Sequence, residues 1–252
     1  LVFAAGNTYV EGNSGADGVT VLTIQPGATL RFGSGTSLWI GNGDAGGLNA
    51  VGTAGERILF TSSAVSPAAG NWNSLRFYQE SSTVLSQMKY CTIEYGGATA
   101  GVGSLYAYYT AINLENLLIR YSLNEGIYAQ SATVNVVNSE IHNTGRQGIS
   151  VNACTLLVDP TWIHDTSWEA IYTLSSTVLL DQVTVTNVGA ARYGLYFDGL
   201  TYATVSNSVV EHNFTFTSAA GANTFTTNTF KDFSAYPPSI PADEVGQILF
   251  TG

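Results

Sequence analysis

Three sets of side chains combine ligand-binding or proton-transfer chemistry with regular spacing. Tyr128, Tyr172 and Tyr196 each follow an apolar residue, Ile127, Ile171 and Leu195, so in an extended strand their rings point away from whatever buries that neighbour. Such a row suits stacking on sugar rings or burial against a partner protein, although tyrosine also favours exposed strand positions in its own right. Ser150 interrupts the row. Glu94, Arg120, His142, His164 and Thr186 form a second, polar column, flanked by Trp162 and Asp165. Two imidazoles beside a carboxylate can hold a transition metal or move protons. No third ligand at zinc-like spacing accompanies them, and polar ladders also serve simply to solvate a stack. The third set is Asp159 and Asp181, two carboxylates at equivalent positions. A separation of about 4.8 Å invites Ca²⁺ there, and solvent relieves the same repulsion.

What must position these residues is a repeat. Segments beginning at Ala111, Thr133, Thr155 and Thr177 align without gaps, the step being 133 − 111 = 155 − 133 = 177 − 155 = 22 residues. Ile112, Val134, Leu156 and Val178 share one column, Leu114, Val136, Val158 and Leu180 another, and Ile119, Ile141, Ile163 and Val185 a third. A spacing of two within each segment marks strands with one buried face. Gly126, Gly148 and Ala170 precede a further column, Ile127, Ile149 and Ile171, where small residues let the chain turn. Asn116, Asn138 and Asn207 share a turn column and read as an asparagine ladder. Short strands without helical periodicity bury their apolar columns by stacking coil on coil in parallel, which makes the chain a β-solenoid. Outside these coils the register drifts. A coil starts near Leu85, a three-residue insertion falls around Ala190 to Tyr193, and further coils start near Tyr202 and Asn223.

Composition narrows the function classes. Charged residues make up 10% of the chain and the net charge is −10, with six Arg and two Lys scattered over different coils, which argues against nucleic acid as a partner. No apolar stretch approaches the roughly 20 residues a membrane-spanning helix needs, so no membrane insertion is expected. The chain starts at Leu1 without an initiator Met or signal-like segment, and reads as a mature or excised piece. Cys91 and Cys154 fall two to three coils apart, beyond the reach of a disulfide, and are expected to be separate thiols.

The wording GVTVLTIQPGATLRFGSGTSLWIG, then GLNAVGTAGERILFTSS, GNWNSLRFYQESS and YCTIEYGG, resembles the right-handed parallel β-helix repeat regions of large bacterial and archaeal secreted or cell-surface proteins. The resemblance implies an all-β, right-handed parallel β-helix of about 22 residues per coil and roughly ten coils. It also implies an extracellular or cell-surface location, and it brings no shared catalytic residues. One domain over 1–252 is expected, with N-terminal coils over 1–84, regular coils over 85–236 and a C-terminal edge segment over 237–252. Ile58-Leu59-Phe60-Thr61 recurs as Ile248-Leu249-Phe250-Thr251, so the stack is expected to be open and to associate head to tail through its ends. The leading expectation is a structural or adhesive module without catalytic residues and with no cofactor beyond possible calcium. The alternative is a protein that binds or cleaves carbohydrate, yet the acid pairs of a hydrolase and the basic residue beside acidic calcium ligands of a lyase are missing from the pattern.

Overall fold

The computed structural model describes residues 1–12, 18–83, 85–217, 223–231 and 248–251. Of the expected C-terminal edge segment, 237–247 and 252 lie outside the described residues. The described chain is all β, with every strand-to-strand pairing parallel, in one 18-stranded and one nine-stranded sheet. Nine strands in the second sheet set the count at about nine turns, and Ile248–Thr251, paired on Asn223–Thr226, adds a strand beyond them. Among the described residues no helix is long and apolar enough to cross a membrane.

A typical coil contributes two strands to the larger sheet and one to the smaller, as in Ala111–Glu115, Leu118–Ser122 and Ile127–Gln130. The next coil stacks on it with Ile112 on Val134, Ile119 on Ile141 and Ile127 on Ile149, the 22-residue step read from the sequence. Alternation puts these side chains inside, where Ile119, Ile127, Val134, Ile141 and Ile149 are fully buried. The ends of the stack are filled differently. Phe32 stacks on Phe3 and Trp72 at 4.8 and 4.3 Å, and Phe214 stacks on Phe225 at 4.6 Å. Rings fill the wider and less regular coils that Val, Ile and Leu alone leave underpacked.

Many corners are turned by a residue in the left-handed region, Pro160 marking a coil that turns without one. Tyr121, Asn143, Asp165 and Asn187 take it at one corner with φ of 54, 53, 52 and 50°, and Asn116, Asn138, Gln182 and Asn207 at another with 55, 49, 54 and 50°. For a non-glycine residue this costs about 1–2 kcal/mol, least for Asn and Asp, which explains the asparagines better than a side-chain ladder does. The side-chain amides of Asn116 and Asn207 in fact donate to the carboxylates of Glu115 and Asp181, at 3.3 and 2.7 Å.

Two register expectations are corrected. Ile171 pairs with Leu195 and Thr177 with Tyr202, steps of 195 − 171 = 24 and 202 − 177 = 25, so the insertion is split. Two of its residues enter before Leu195, and the third enters at the next corner, where Thr201 Oγ1 bonds back to the Asp198 carbonyl at 2.8 Å. The two Ile-Leu-Phe-Thr copies are also not equivalent. Ile58–Ser62 pairs with Cys91–Glu94, the second strand of its coil, whereas Ile248–Thr251 stacks on the first-strand column through Asn223–Thr226. The motif recurs as wording but not as a position.

Candidate functional site

The outer face of the nine-stranded sheet carries far more aromatic surface than three tyrosines. Register places Tyr9 on Trp39, Trp39 on Arg76, Arg76 on Tyr106, Tyr106 on Tyr128, Tyr128 on Ser150, Ser150 on Tyr172 and Tyr172 on Tyr196. Beside this column Tyr78 and Tyr108 join in. Ring centroids are 5.5 Å apart for Tyr9 and Trp39, 5.0 Å for Trp39 and Tyr78, 5.9 Å for Tyr78 and Tyr106, and 5.9 Å for Tyr106 and Tyr128. Arg76 lies over the Trp39 ring at 4.9 Å, so the one non-aromatic member of the upstream column caps its neighbour by a cation–π contact. Beyond the gap at buried Ser150, Tyr172 and Tyr196 pair at 5.4 Å.

Close packing of phenols has an electrostatic signature. Burial, reinforced by the neighbouring Tyr78, Tyr128 and Tyr108, pushes the Tyr106 hydroxyl up to about 12. Tyr128, Tyr172 and Tyr196 are raised as well, first by burial. Tyr172 Oη also donates to Asp198 Oδ2 at 2.6 Å. Burial pushes the Asp198 carboxyl upward, but hydrogen bonds from Thr217, Tyr172 and the Gly199 amide outweigh it and hold it below the usual carboxylate range. The indole N–H of Trp39 is buried with no hydrogen-bond partner among the described residues, a donor left over in the middle of the strip. At the rim, Tyr108 meets Tyr109 edge to face at 4.6 Å, and Tyr109 opens onto a groove of about 650 Å³ floored by Ser131, Ala153 and Ser175.

Tyr9, Trp39 and Tyr78 escaped the sequence reading because the coils there are not 22 residues long, whereas Tyr106 went unrecognised although it stands one 22-residue step before Tyr128. Leu38, Leu75, Leu105 and Ile127 form one inward column, but its steps are 75 − 38 = 37, 105 − 75 = 30 and 127 − 105 = 22. Loops hide the column without moving it.

On the larger sheet the polar column assembles in the expected order, Glu94 beside Arg120, Arg120 beside His142, His142 beside His164 and His164 beside Thr186. Arg120 pairs with Glu94 at 2.8 Å, and Thr61 Oγ1 donates to the same carboxylate at 2.8 Å. The two imidazoles are parallel within 2° at 4.8 Å, and Trp162 stacks on the far face of His164 at 3.8 Å. Glu140, one outward position before His142, was not recognised from the sequence. Its Oε1 lies 3.2 Å from His164 Nε2 and 3.9 Å from His142 Nε2. Period-two alternation was the available signal, since Glu140 and His142 flank inward Ile141.

Asp159 and Asp181 are brought to adjacent coils, where the side-chain amide of Gln182 donates to both, at 3.3 and 3.4 Å. Ser206 and Asn207 each donate to Asp181 at 2.7 Å and hold its carboxyl below the usual range. Other carboxylates are buried and paired. Glu125 meets Arg146 at 3.0 Å and Glu169 meets Arg192 at 3.2 Å, while both guanidinium groups sandwich Trp168 at 4.1 and 4.5 Å. Cys91 and Cys154 are separate buried thiols, and burial pushes Cys91 up to about 12, away from reactivity.

With this geometry in place, the family described as a right-handed beta helix region matches residues 100–238. Comparison with curated protein sequences gives no match. Among solved structures, an alginate lyase from Paenibacillus sp. str. FPU-7 is 16% identical with a TM-score of 0.42, covering 90% of this chain and 92% of that one. Pectate lyase Pel9A is 11% identical with a TM-score of 0.41, over 100% of this chain and 79% of that one. The ORF18 protein of Geobacillus virus E2 is 10% identical with a TM-score of 0.32, over 96% and 53%. Superpositions this loose say nothing about chemistry.

Proposed function

The chain belongs to the right-handed β-helix family, and on that premise we propose that it is an extracellular adhesive module that holds an extended glycan against the aromatic face of its nine-stranded sheet. The observation that carries this reading is the registered ladder of rings from Tyr9 through Trp39, Tyr78 and Tyr106 to Tyr128. Neighbouring ring centroids in it lie 5.0 to 5.9 Å apart, close to the length one pyranose adds to an extended chain. The rings are interspersed with Arg76, Gln130 and Asn152, groups that hydrogen-bond hydroxyls.

Binding rather than cleavage is favoured by where the acids fall. Of the carboxylates beside the strip, Glu125 and Glu169 are buried and paired with Arg146 and Arg192. Glu11 follows the first strand of the sheet and Asp198 ends the eighth, too far apart to act on one glycosidic bond. Calcium between Asp159 and Asp181 and self-association through the stack ends belong to the same proposal as supports of the module.

Affinity electrophoresis through gels containing neutral and acidic polysaccharides tests it. Retardation by at least one polymer, lost in Trp39→Ala and Tyr106→Ala variants that melt like the parent, is the expected result. Release of unsaturated or reducing sugars would instead establish the cleavage reading. Retardation by none of the polymers would leave the scaffold role alone, to be followed by electron microscopy for filaments. Repeating the gels and the melts with calcium, and with Asp159→Asn, decides whether the aspartate pair takes that ion.

A further inference from the structure

We propose that His142, His164 and Glu140 form a binding site for one divalent transition-metal ion of the kind imidazole prefers, such as Zn²⁺ or Cu²⁺. The argument starts from the far side of each ring. His142 Nδ1 faces Asn143 Oδ1 at 2.6 Å, and His164 Nδ1 faces Asp165 Oδ2 at 2.8 Å. A ring whose Nδ1 donates to these oxygens presents its lone pair at Nε2, the form in which imidazole ligates a metal. The two Nε2 nitrogens turn toward the same carboxylate oxygen, Glu140 Oε1, at 3.2 and 3.9 Å. In that tautomer two imidazole lone pairs and the Glu140 carboxylate lie together, an arrangement that a cation bridges.

The distances suit such an ion. Tetrahedral bonds of about 2.0 Å place ligands about 3.3 Å apart. The Glu140 to His164 spacing of 3.2 Å already meets this, and the 3.9 Å to His142 closes when that ring tips out of its parallel stack. Asp165 adds a further donor, since one ligand atom from each of His142, His164 and Asp165 falls within 4.8 Å of the others. We place Asp165 in the supporting shell, where a carboxylate that accepts from the rear nitrogen of a histidine fixes its tautomer. Asn187 holds Asp165 in turn. Local charge suits a dication, because Arg120 is neutralised by Glu94 while Glu140 and Asp165 bring two negative charges against the single positive charge of Arg57. A groove of about 370 Å³ lined by Arg57, Glu140 and Trp162 opens the Glu140 side of the cluster to solvent.

Metal-free full-length protein titrated with Cu²⁺ alone and followed by electron paramagnetic resonance tests the site without mutation. One ion per chain with two equatorial nitrogens, and quenching of the Trp162 indole stacked on His164, is the expected result. Zn²⁺ calorimetry should give the same stoichiometry, with affinity reduced at least tenfold in His142→Gln and in His164→Gln and unchanged in His212→Gln. Both ligand histidines sit outside the inward Ile141 and Ile163, and circular dichroism melts check that the variants fold. Oxygen-only coordination, uptake below one equivalent, or equal uptake by the doubly substituted His142→Gln, His164→Gln protein would overturn the proposal.

Discussion

The two outward columns stand on the same coils and obey the same alternation, yet they differ in kind. On the nine-stranded sheet one chemistry repeats from coil to coil and yields a surface, the aromatic strip. On the larger sheet successive coils present Glu94, Arg120, His142 and His164, and the chemistry condenses into a local cluster two coils wide. A solenoid thus turns repetition into extended recognition and departure from repetition into a point site, without changing its backbone.

The most disruptive way to break this comparison is to remove what both columns share. Ile141 is fully buried directly inside the histidine pair, and Ile141→Ala should cost about 2–5 kcal/mol. A thermal melt measures it. Loss of metal uptake with unchanged polysaccharide retardation would show that the coils fail locally, whereas joint loss would show a cooperative stack. A gentler change sharpens the contrast. Ser150→Tyr, at the gap between Tyr128 and Tyr172, should join the two aromatic blocks and strengthen retardation by up to about tenfold, the equivalent of 0.5–1.5 kcal/mol for one added aromatic pair. No change would mean that the ligand uses only the upstream block.

The smallest effect separates the faces by pH. The raised Tyr106 phenol adds stability that is fully present below the unfolded value of about 10 and is lost as pH rises through about 12. Ultraviolet titration should find the phenols of Tyr106, Tyr128, Tyr172 and Tyr196 ionising later in the folded protein than in denaturant, with stability declining over that range. Simultaneous ionisation in both states would mean the strip is open to water.

The regular coils were legible in the sequence because each inward column from Ile112 to Val178 repeats at one interval. Upstream, the column through Leu38, Leu75 and Leu105 survives, but loops of unequal length sever the interval, and Tyr9 and Trp39 went unrecognised with it, whereas Tyr106 stands in phase with Tyr128 just after the loop at 96–103. Glu140 was hidden for another reason. Its role depends on which ring nitrogen faces it, a matter of side-chain orientation that spacing does not encode.

The corners carry a consequence of their own. Because the bends of the regular coils recur at the same positions, and because Thr133 to Cys154 begins and ends at the same corner as the coil after it, a whole coil is a modular unit of length. Adding or deleting one would lengthen or shorten the rod by a fixed increment of about 4.8 Å and leave every remaining column in phase. The molecule is in that sense a ruler, graduated in coils, whose markings are the side chains it displays.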